Sequence, residues 1–162
     1  MSFRTCFPAS LVAATALLLA GCQSPPAPAP SAPGAAPAGT ATGPAPAASQ
    51  AGTPRAYRQD AARHLYALNA QRIYQGTLPP MLYAVGVLEV DIDRAGRVTR
   101  LHWMRKPSHA PEVVAEIERT VRAAAPFPVP ARLGRVTYTD VWLWDESGRF
   151  QLDTLTEGQR QN

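Results

Sequence analysis

Apolar and polar residues alternate along two neighbouring segments of the chain. The alternation covers residues 86–93 and resumes at residues 98–105, with Asp93 and Gly96 in the short segment between them. A period of two is typical of half-buried strands, and Asp and Gly favour tight turns. The pattern predicts a β-hairpin with one apolar and one charged face. Trp103 falls on the apolar face of the second strand, so we expect it in the core.

A third alternating segment occupies residues 136–144 and is rich in β-branched and aromatic residues, which favour strands. Turn-forming residues follow at 145–148, and residues 150–154 predict a fourth, shorter strand. The tail from Glu157 is polar, and we expect it to fray. Tyr138, Trp142 and Trp144 share one face of the third strand. They form either part of the core or an exposed aromatic strip for recognition, since aromatic residues dominate binding hot spots.

Two segments have helical periodicity. The first covers residues 57–74, where apolar residues form adjoining stripes, and Gly76 is expected to cap it. The second begins near Pro111, with Ser108 or His109 as its cap. Its apolar residues recur at spacings of 3, 4 and 3, and they are Val114, Ile117, Val121 and Ala124.

The resulting order is α-β-β-α-β-β. It predicts an α+β domain over residues 55–162, with a small antiparallel sheet of three to four strands packed against two helices. About 108 residues are enough for one small domain with one core.

The first 21 residues have the composition of a secretory signal, with Arg4 ahead of an apolar segment too short to span a bilayer permanently. Leu19-Ala-Gly-Cys22 resembles the lipobox of bacterial lipoproteins. The resemblance implies cleavage before Cys22 and acylation of its thiol. Gln23, where Asp would signal retention at the inner membrane, implies an outer-membrane lipoprotein facing the periplasm. The alternative is an ordinary signal peptide in which Cys22 is incidental.

Residues 22–54 join this leader to the domain. Residues 23–54 include 9 Pro, 11 Ala and 4 Gly and carry neither charge nor aromatic side chain. Such a composition cannot bury enough apolar surface to offset its ordering entropy, so we expect a disordered linker with polyproline-like character. Its simplest role is that of a spacer.

Charge and cysteine content exclude several classes of protein. The domain has 15 Arg or Lys against 12 Asp or Glu, far from the concentrated basic patch of a nucleic-acid-binding protein. Cys6 leaves with the signal and Cys22 carries lipid, which leaves no thiol for a disulfide or a zinc site. The basic residues around the hairpin form either a solvated surface or a contact for anionic envelope polymer or lipid headgroups. They are Arg94, Arg97, Arg100, Arg105 and Lys106.

No catalytic motif, metal site or cofactor site is expected. His64 has no second ligand at matched spacing, so we expect it at the surface or at the edge of the core. On the charged face of the hairpin, three carboxylates lie across from Arg97, Arg100 and His102, and we expect cross-strand pairing rather than a catalytic acid pair. These carboxylates are Glu89, Asp91 and Asp93.

A family resemblance rests on the order of these motifs. The pattern Gly86-x-Leu-x-Val-x-Ile-Asp-x-x-Gly-x-Val98, the strand that follows, and a helix ending in Pro126-Phe-Pro128 resemble the periplasmic C-terminal domain of TonB-type proteins, to which the TolA C-terminal domain is similar. The likeness covers about residues 78–141. It implies a sandwich of two helices and three strands, and recognition of partners by β-strand addition to a sheet edge.

Together these features predict a non-catalytic, lipid-anchored periplasmic module that binds an envelope protein through a sheet edge at residues 136–144. The expected contacts are Tyr138, Asp140, Trp142 and Trp144. The membrane is a partner through the lipid on Cys22, and a homodimer is compatible with the sequence. The alternatives are a structural accessory lipoprotein of an envelope assembly, a TonB-type component of energy transduction or transport, and, with least support, an envelope enzyme.

Overall fold

The computed structural model describes residues 47–161. The signal peptide, Cys22 and the linker up to residue 46 lie outside these residues. The elements, in chain order, are α1 (Pro54–Leu68), β1 (Ala84–Ile92), β2 (Val98–Arg105), α2 (Pro111–Ala123), β3 (Val136–Trp144) and β4 (Phe150–Leu152), with single 3₁₀ turns at Ala70–Arg72 and Asp153–Leu155. The predicted order α-β-β-α-β-β and the α+β class are confirmed.

The four strands form one antiparallel sheet in the order β2-β1-β3-β4. Every second residue of β1 is buried, and each lies directly opposite a buried residue of β3, as Val90 does to Tyr138. Leu65 of α1 and Ile117 of α2 belong to the same buried cluster. Both helices therefore pack on one face of the sheet. The alternation predicted for the hairpin is confirmed in β1.

Helix α1 begins and ends with side-chain caps. Thr53 Oγ1 accepts a hydrogen bond from Ala56 N at 3.2 Å, and Pro54 occupies the first turn, where its missing N–H costs nothing. Asn69 ends the helix, because its Nδ2 donates to Leu65 O at 2.9 Å and satisfies a terminal carbonyl. The prediction that the helix continues to Tyr74 and that Gly76 caps it is wrong.

The folded part begins earlier than the predicted boundary between residues 54 and 55. Ser49 N donates to Val129 O at 2.9 Å, and Ser49 Oγ donates to Asp60 Oδ2 on α1 at 2.6 Å. The last residues of the predicted linker are therefore part of the domain. A cap from Ser108 or His109 on α2 is also wrong, since Ala110 occupies the cap position without a side-chain bond.

The segment after α2 closes one end of the core. Phe127 is fully buried, and its N–H donates to Gly96 O in the β1–β2 turn at 2.8 Å. Gly96 has the positive φ expected of the turn, at 77°. Tyr57 Oη of α1 donates to Pro128 O at 2.6 Å in the same segment. The hairpin turn and the first helix are therefore both fixed to residues 126–128.

The C-terminal segment is held in place. Leu78 N donates to Gly158 O at 2.9 Å, and Arg160 N donates to Leu78 O at 2.9 Å, which forms a short parallel bridge. The prediction of a fraying tail is wrong up to Arg160, because these backbone groups find partners before β1. Within residues 47–161, no helix is long and apolar enough to cross a membrane.

The contact of Gly96 with Phe127 generates a stability prediction. An added Cβ at Gly96 would overlap the carbonyl oxygen of Phe127, in addition to the strain of a positive φ. We expect Gly96→Ala to lower the free energy of unfolding by about 2 kcal/mol more than a change that introduces backbone strain alone. Urea unfolding of the two variants measures this difference.

Gly148→Ala is the matched control. Gly148 has φ 79°, and nothing lies within 4 Å of the position its Cβ would take, so only the strain of about 1 kcal/mol applies. Equal losses in the two variants would show that the turn is not fixed to Phe127.

Candidate partner-binding edge at strand β2

The predicted binding strand, β3, lies inside the sheet. It pairs with β1 from Val136 to Trp144 and with β4 at residues 142–144. Beside its middle, Thr154 N of the C-terminal 3₁₀ turn donates to Asp140 Oδ1 at 3.2 Å. The prediction of a free edge along residues 136–144 is therefore wrong for residues 140–144, where β4 and the turn after it lie.

The four residues predicted to contact a partner are all buried under the helices. Tyr138, Asp140 and Trp142 are each 1% exposed and Trp144 is 5% exposed. Trp144 stacks on Phe150 with ring centroids 5.4 Å apart and an interplanar angle of 9°. The aromatic face of β3 is therefore part of the core, and the interpretation as an exposed recognition strip is wrong.

Asp140 is the charged member of this buried face. Its carboxylate accepts hydrogen bonds from Arg58 Nη2 at 2.8 Å, from Tyr138 Oη at 2.8 Å and from Val141 N at 2.9 Å. Burial, followed by the nearby charge of Asp140, raises the pKa of Tyr138 well above its ordinary value. The phenol therefore stays protonated and remains a donor. This arrangement satisfies a buried charge.

The flank of β4 is sealed by the chain itself. Tyr74 N donates to Phe150 O at 2.9 Å, in the position of a neighbouring strand. Gln151 is 1% exposed, and its Nε2 donates to Tyr74 O at 2.9 Å and to Gly76 O at 2.8 Å. Its Oε1 accepts from Thr156 Oγ1 at 2.8 Å. No room remains for an added strand beside β4.

Strand β2 is the opposite edge, and among the described residues it pairs with β1 alone. The register skips Thr99 near its start and Met104 near its end, so each is the extra residue of a β-bulge. Residues 100–103 form the regular run between the bulges. Met104 is 61% exposed and places an apolar side chain beside the open edge.

The charged face of the hairpin is paired as predicted. Asp91 Oδ2 accepts from Arg100 Nε at 2.7 Å, and His102 Nδ1 lies 3.7 Å from Glu89 Oε2. The hydrogen bond from Arg100, followed by that from Thr137, lowers the pKa of Asp91. The prediction of cross-strand pairs is confirmed.

Trp103 fixes the inner side of β2. It is half-buried and packs against the core from its edge, so the prediction that it fills the core is only partly correct. Its indole Nε1 donates to Glu118 Oε1 of α2 at 2.9 Å, and its ring lies over Gly86, where an added Cβ would come within 2.7 Å. The edge strand is therefore held to α2 and to β1 by one side chain.

The histidines lie at separate places. Nε2 of His64 lies 2.7 Å from Ala124 O, at the edge of the core as expected, and Nε2 of His109 lies 2.9 Å from Tyr83 O. Within residues 47–161, no group of three or more His, Cys, Asp or Glu is placed to hold a metal ion.

Sequence reasoning missed β2 as the edge. A signal was present, because natural edge strands carry exposed charged side chains and bulges that discourage pairing with other chains. Arg100, Arg105 and Lys106 give β2 and its end this composition, whereas β3 carries Asp140 alone.

The ion pair of Asp91 generates a pH prediction. Its folded-state pKa lies below the ordinary value of about 3.9. The pair therefore contributes stability above about pH 4, which is lost as the pH falls through the folded-state pKa. We expect Asp91→Asn to lower the free energy of unfolding by about 1 kcal/mol at neutral pH and by progressively less in acid. Urea unfolding at several pH values tests this.

Glu146→Gln is the control, since Glu146 is exposed in the β3–β4 turn and belongs to none of the ion pairs of residues 47–161. A difference between Asp91→Asn and the unaltered chain that persists below the folded-state pKa would contradict the assignment.

No known protein family, curated protein or solved structure matches this chain. The resemblance to TonB-type domains therefore stays a prediction from the sequence. The sheet is closed beside β4 by residues 73–76 and the C-terminal segment, and its opposite edge is free along β2 within the described residues.

Proposed function

We propose that this protein is a non-catalytic, lipid-anchored module of the cell envelope that captures an extended segment of a partner protein along β2. The observation that carries the proposal is the asymmetry of the sheet, in which the β4 flank is closed and the β2 flank pairs with nothing among residues 47–161. An unpaired strand flank presents a row of N–H and C=O groups to which an extended peptide can add.

The charges near β2 select the partner. Arg105 and Lys106 are exposed and belong to none of the ion pairs of the described residues, and Arg100 is exposed although paired. Opposite charges on neighbouring strands stabilise a sheet, and like charges destabilise it. A partner segment with Asp or Glu at alternate positions fits this edge. Antiparallel pairing of two β2 strands would bring their arginines together, which disfavours a homodimer through this edge.

The two bulges limit how long the added strand can be. The regular run covers residues 100–103, so few backbone hydrogen bonds are available before the register is interrupted at Thr99 and Met104. The exposed Met104 side chain supplies an adaptable apolar contact at the end of that run. The site suits a short segment bound reversibly.

The lipid anchor belongs to the same proposal. The Leu19-to-Cys22 motif lies directly after the apolar leader, and Gln23 follows it. Acylated Cys22 holds the domain at the outer membrane through the Pro- and Ala-rich segment. A short edge interaction gains from this arrangement, because tethering raises the effective concentration of the two partners at one surface.

A second function has an observation in its favour. The sheet face opposite the helices is half-exposed and apolar at one end, where Val85, Val87, Val141 and Leu143 lie together, and Met81 is 82% exposed just before β1. Such a face suits permanent packing in an assembly, as a structural accessory lipoprotein. Size-exclusion chromatography of detergent extracts separates the two, because a stable large complex supports only the second.

Charge reversal tests the edge. We expect Arg105→Glu with Lys106→Glu to weaken partner capture roughly ten-fold, because both unpaired charges lie at the end of the edge along which the acidic segment adds. The measurement is photo-crosslinking in intact envelopes by the full chain with benzoylphenylalanine in place of Met104, followed by mass spectrometry of the crosslinked segment. Arg149→Glu with Arg160→Glu is the control with the same change of net charge. An equal loss in both, or equal crosslinking from position 146 in the β3–β4 turn, would contradict the proposal.

Acylation is tested at Cys22. We expect the chain to incorporate labelled palmitate and to fractionate with membranes, whereas Cys22→Ala should lose the label because the thiol of the lipobox is absent. Cys6→Ala is the control, since it precedes the cleavage point. Label retained in Cys22→Ala would contradict acylation at Cys22.

A further inference from the structure

Four exposed arginines lie at the end of the domain where the N-terminal segment enters. Arg94 and Arg135 line a cleft of about 690 Å³, together with Pro54 at the start of α1. The guanidinium of Arg132 lies beside Gly52, at 3.5 Å from the position of an added Cβ. Arg55 follows Pro54 in the first turn of α1. These residues, Arg55, Arg94, Arg132 and Arg135, are called the basic end below.

The two carboxylates that line this cleft are already neutralised. Asp91 binds Arg100 at 2.7 Å, and Asp93 binds Arg97 at 2.8 Å as well as two backbone N–H groups of its own turn. None of the four arginines of the basic end belongs to an ion pair within residues 47–161. The cleft therefore keeps an uncompensated positive charge.

The start of α1 adds to this charge. The first turn of a helix carries the positive end of the helix dipole and normally attracts Asp or Glu. Helix α1 has no acidic residue in its first turn, and Arg55 stands there instead. A cation at this position lowers helix stability unless an anion approaches from outside. The arrangement therefore favours binding of an anion over stability of the free helix.

The place where the N-terminal segment joins the domain indicates which anion the basic end meets. Ser49 is bonded to Val129 and Gly52 lies beside Arg132, so the N-terminal segment joins the domain at the basic end. Only residues 23–46 separate Cys22 from that junction. With the lipid proposed for Cys22, on which this inference rests, the membrane is the anionic surface nearest to these arginines.

We infer that the basic end binds the anionic headgroups of the membrane and orients the domain on it. Strand β2 begins at this end with Val98 and runs away from it to Arg105, a length of about 25 Å for eight residues. A domain seated on its basic end therefore directs the Arg105 end of β2 away from the bilayer. This binding does not depend on strand addition, because β2 remains intact when the basic end is altered.

A cleavable full-length chain tests the inference. A protease site is inserted after Gly43, and the full chain is reconstituted into vesicles of phosphatidylcholine alone or mixed with phosphatidylglycerol. After cleavage, the released domain should stay on the mixed vesicles at low salt, leave them at high salt, and leave the phosphatidylcholine vesicles at both. Because each arginine near an anionic surface contributes about a five-fold factor, Arg94→Gln with Arg135→Gln should weaken retention roughly 25-fold.

Arg149→Gln with Arg160→Gln is the matched control, because both residues are exposed, carry the same charge and lie in the β3–β4 turn and the C-terminal segment. It should retain the released domain within a factor of two of the unaltered chain. Equal retention of the unaltered domain on the two kinds of vesicle would overturn the inference. So would a control double variant that loses as much as Arg94→Gln with Arg135→Gln, since net charge alone would then explain the binding.

Discussion

The buried carboxylate of Asp140 is the interaction on which the arrangement of this domain depends. A charge without solvent costs several kcal/mol unless its oxygens are fully bonded. Arg58 from α1, the phenol of Tyr138 and the backbone N–H of Thr154 meet this requirement. One side chain on a central strand therefore brings together the first helix, the sheet and the C-terminal segment.

This constraint also decides which side of the sheet is open. Because the chain must present Thr154 to Asp140 after β4, it turns across the outer side of β3, and Gln151 then binds the segment at Tyr74. The flank beside β4 closes as a consequence. At the opposite edge, β2 makes its contacts on its inner side, where Trp103 bonds to α2 and lies over Gly86 of β1. The sheet thus has a closed flank beside β4 and a free flank along β2, and the free flank supports the proposed capture of a strand.

Much of the local structure could be predicted from the sequence, because period and turn chemistry are local. The bounds of β2 and β3 and the buried stripe of α2 follow from spacing alone. The lateral order of strands does not, since alternation shows which residues share a face and not which strand lies beside them. The aromatic face of β3 therefore fitted both a core and a binding strip. The end of α1 at Asn69 and the bridge of Leu78 with the C-terminal segment depend on single long-range or capping hydrogen bonds that composition does not reveal.

The three tryptophans differ in their exposure to solvent, so fluorescence quenching can report on the β2 edge. Trp142 and Trp144 are closed off from solvent, whereas Trp103 lies half-buried on β2. A dissolved quencher such as acrylamide or iodide therefore reaches the indole of Trp103 and leaves the other two emitting. Intrinsic fluorescence of the natural chain reports the state of this flank without any added dye, and the blue-shifted remainder reports the integrity of the core in the same spectrum.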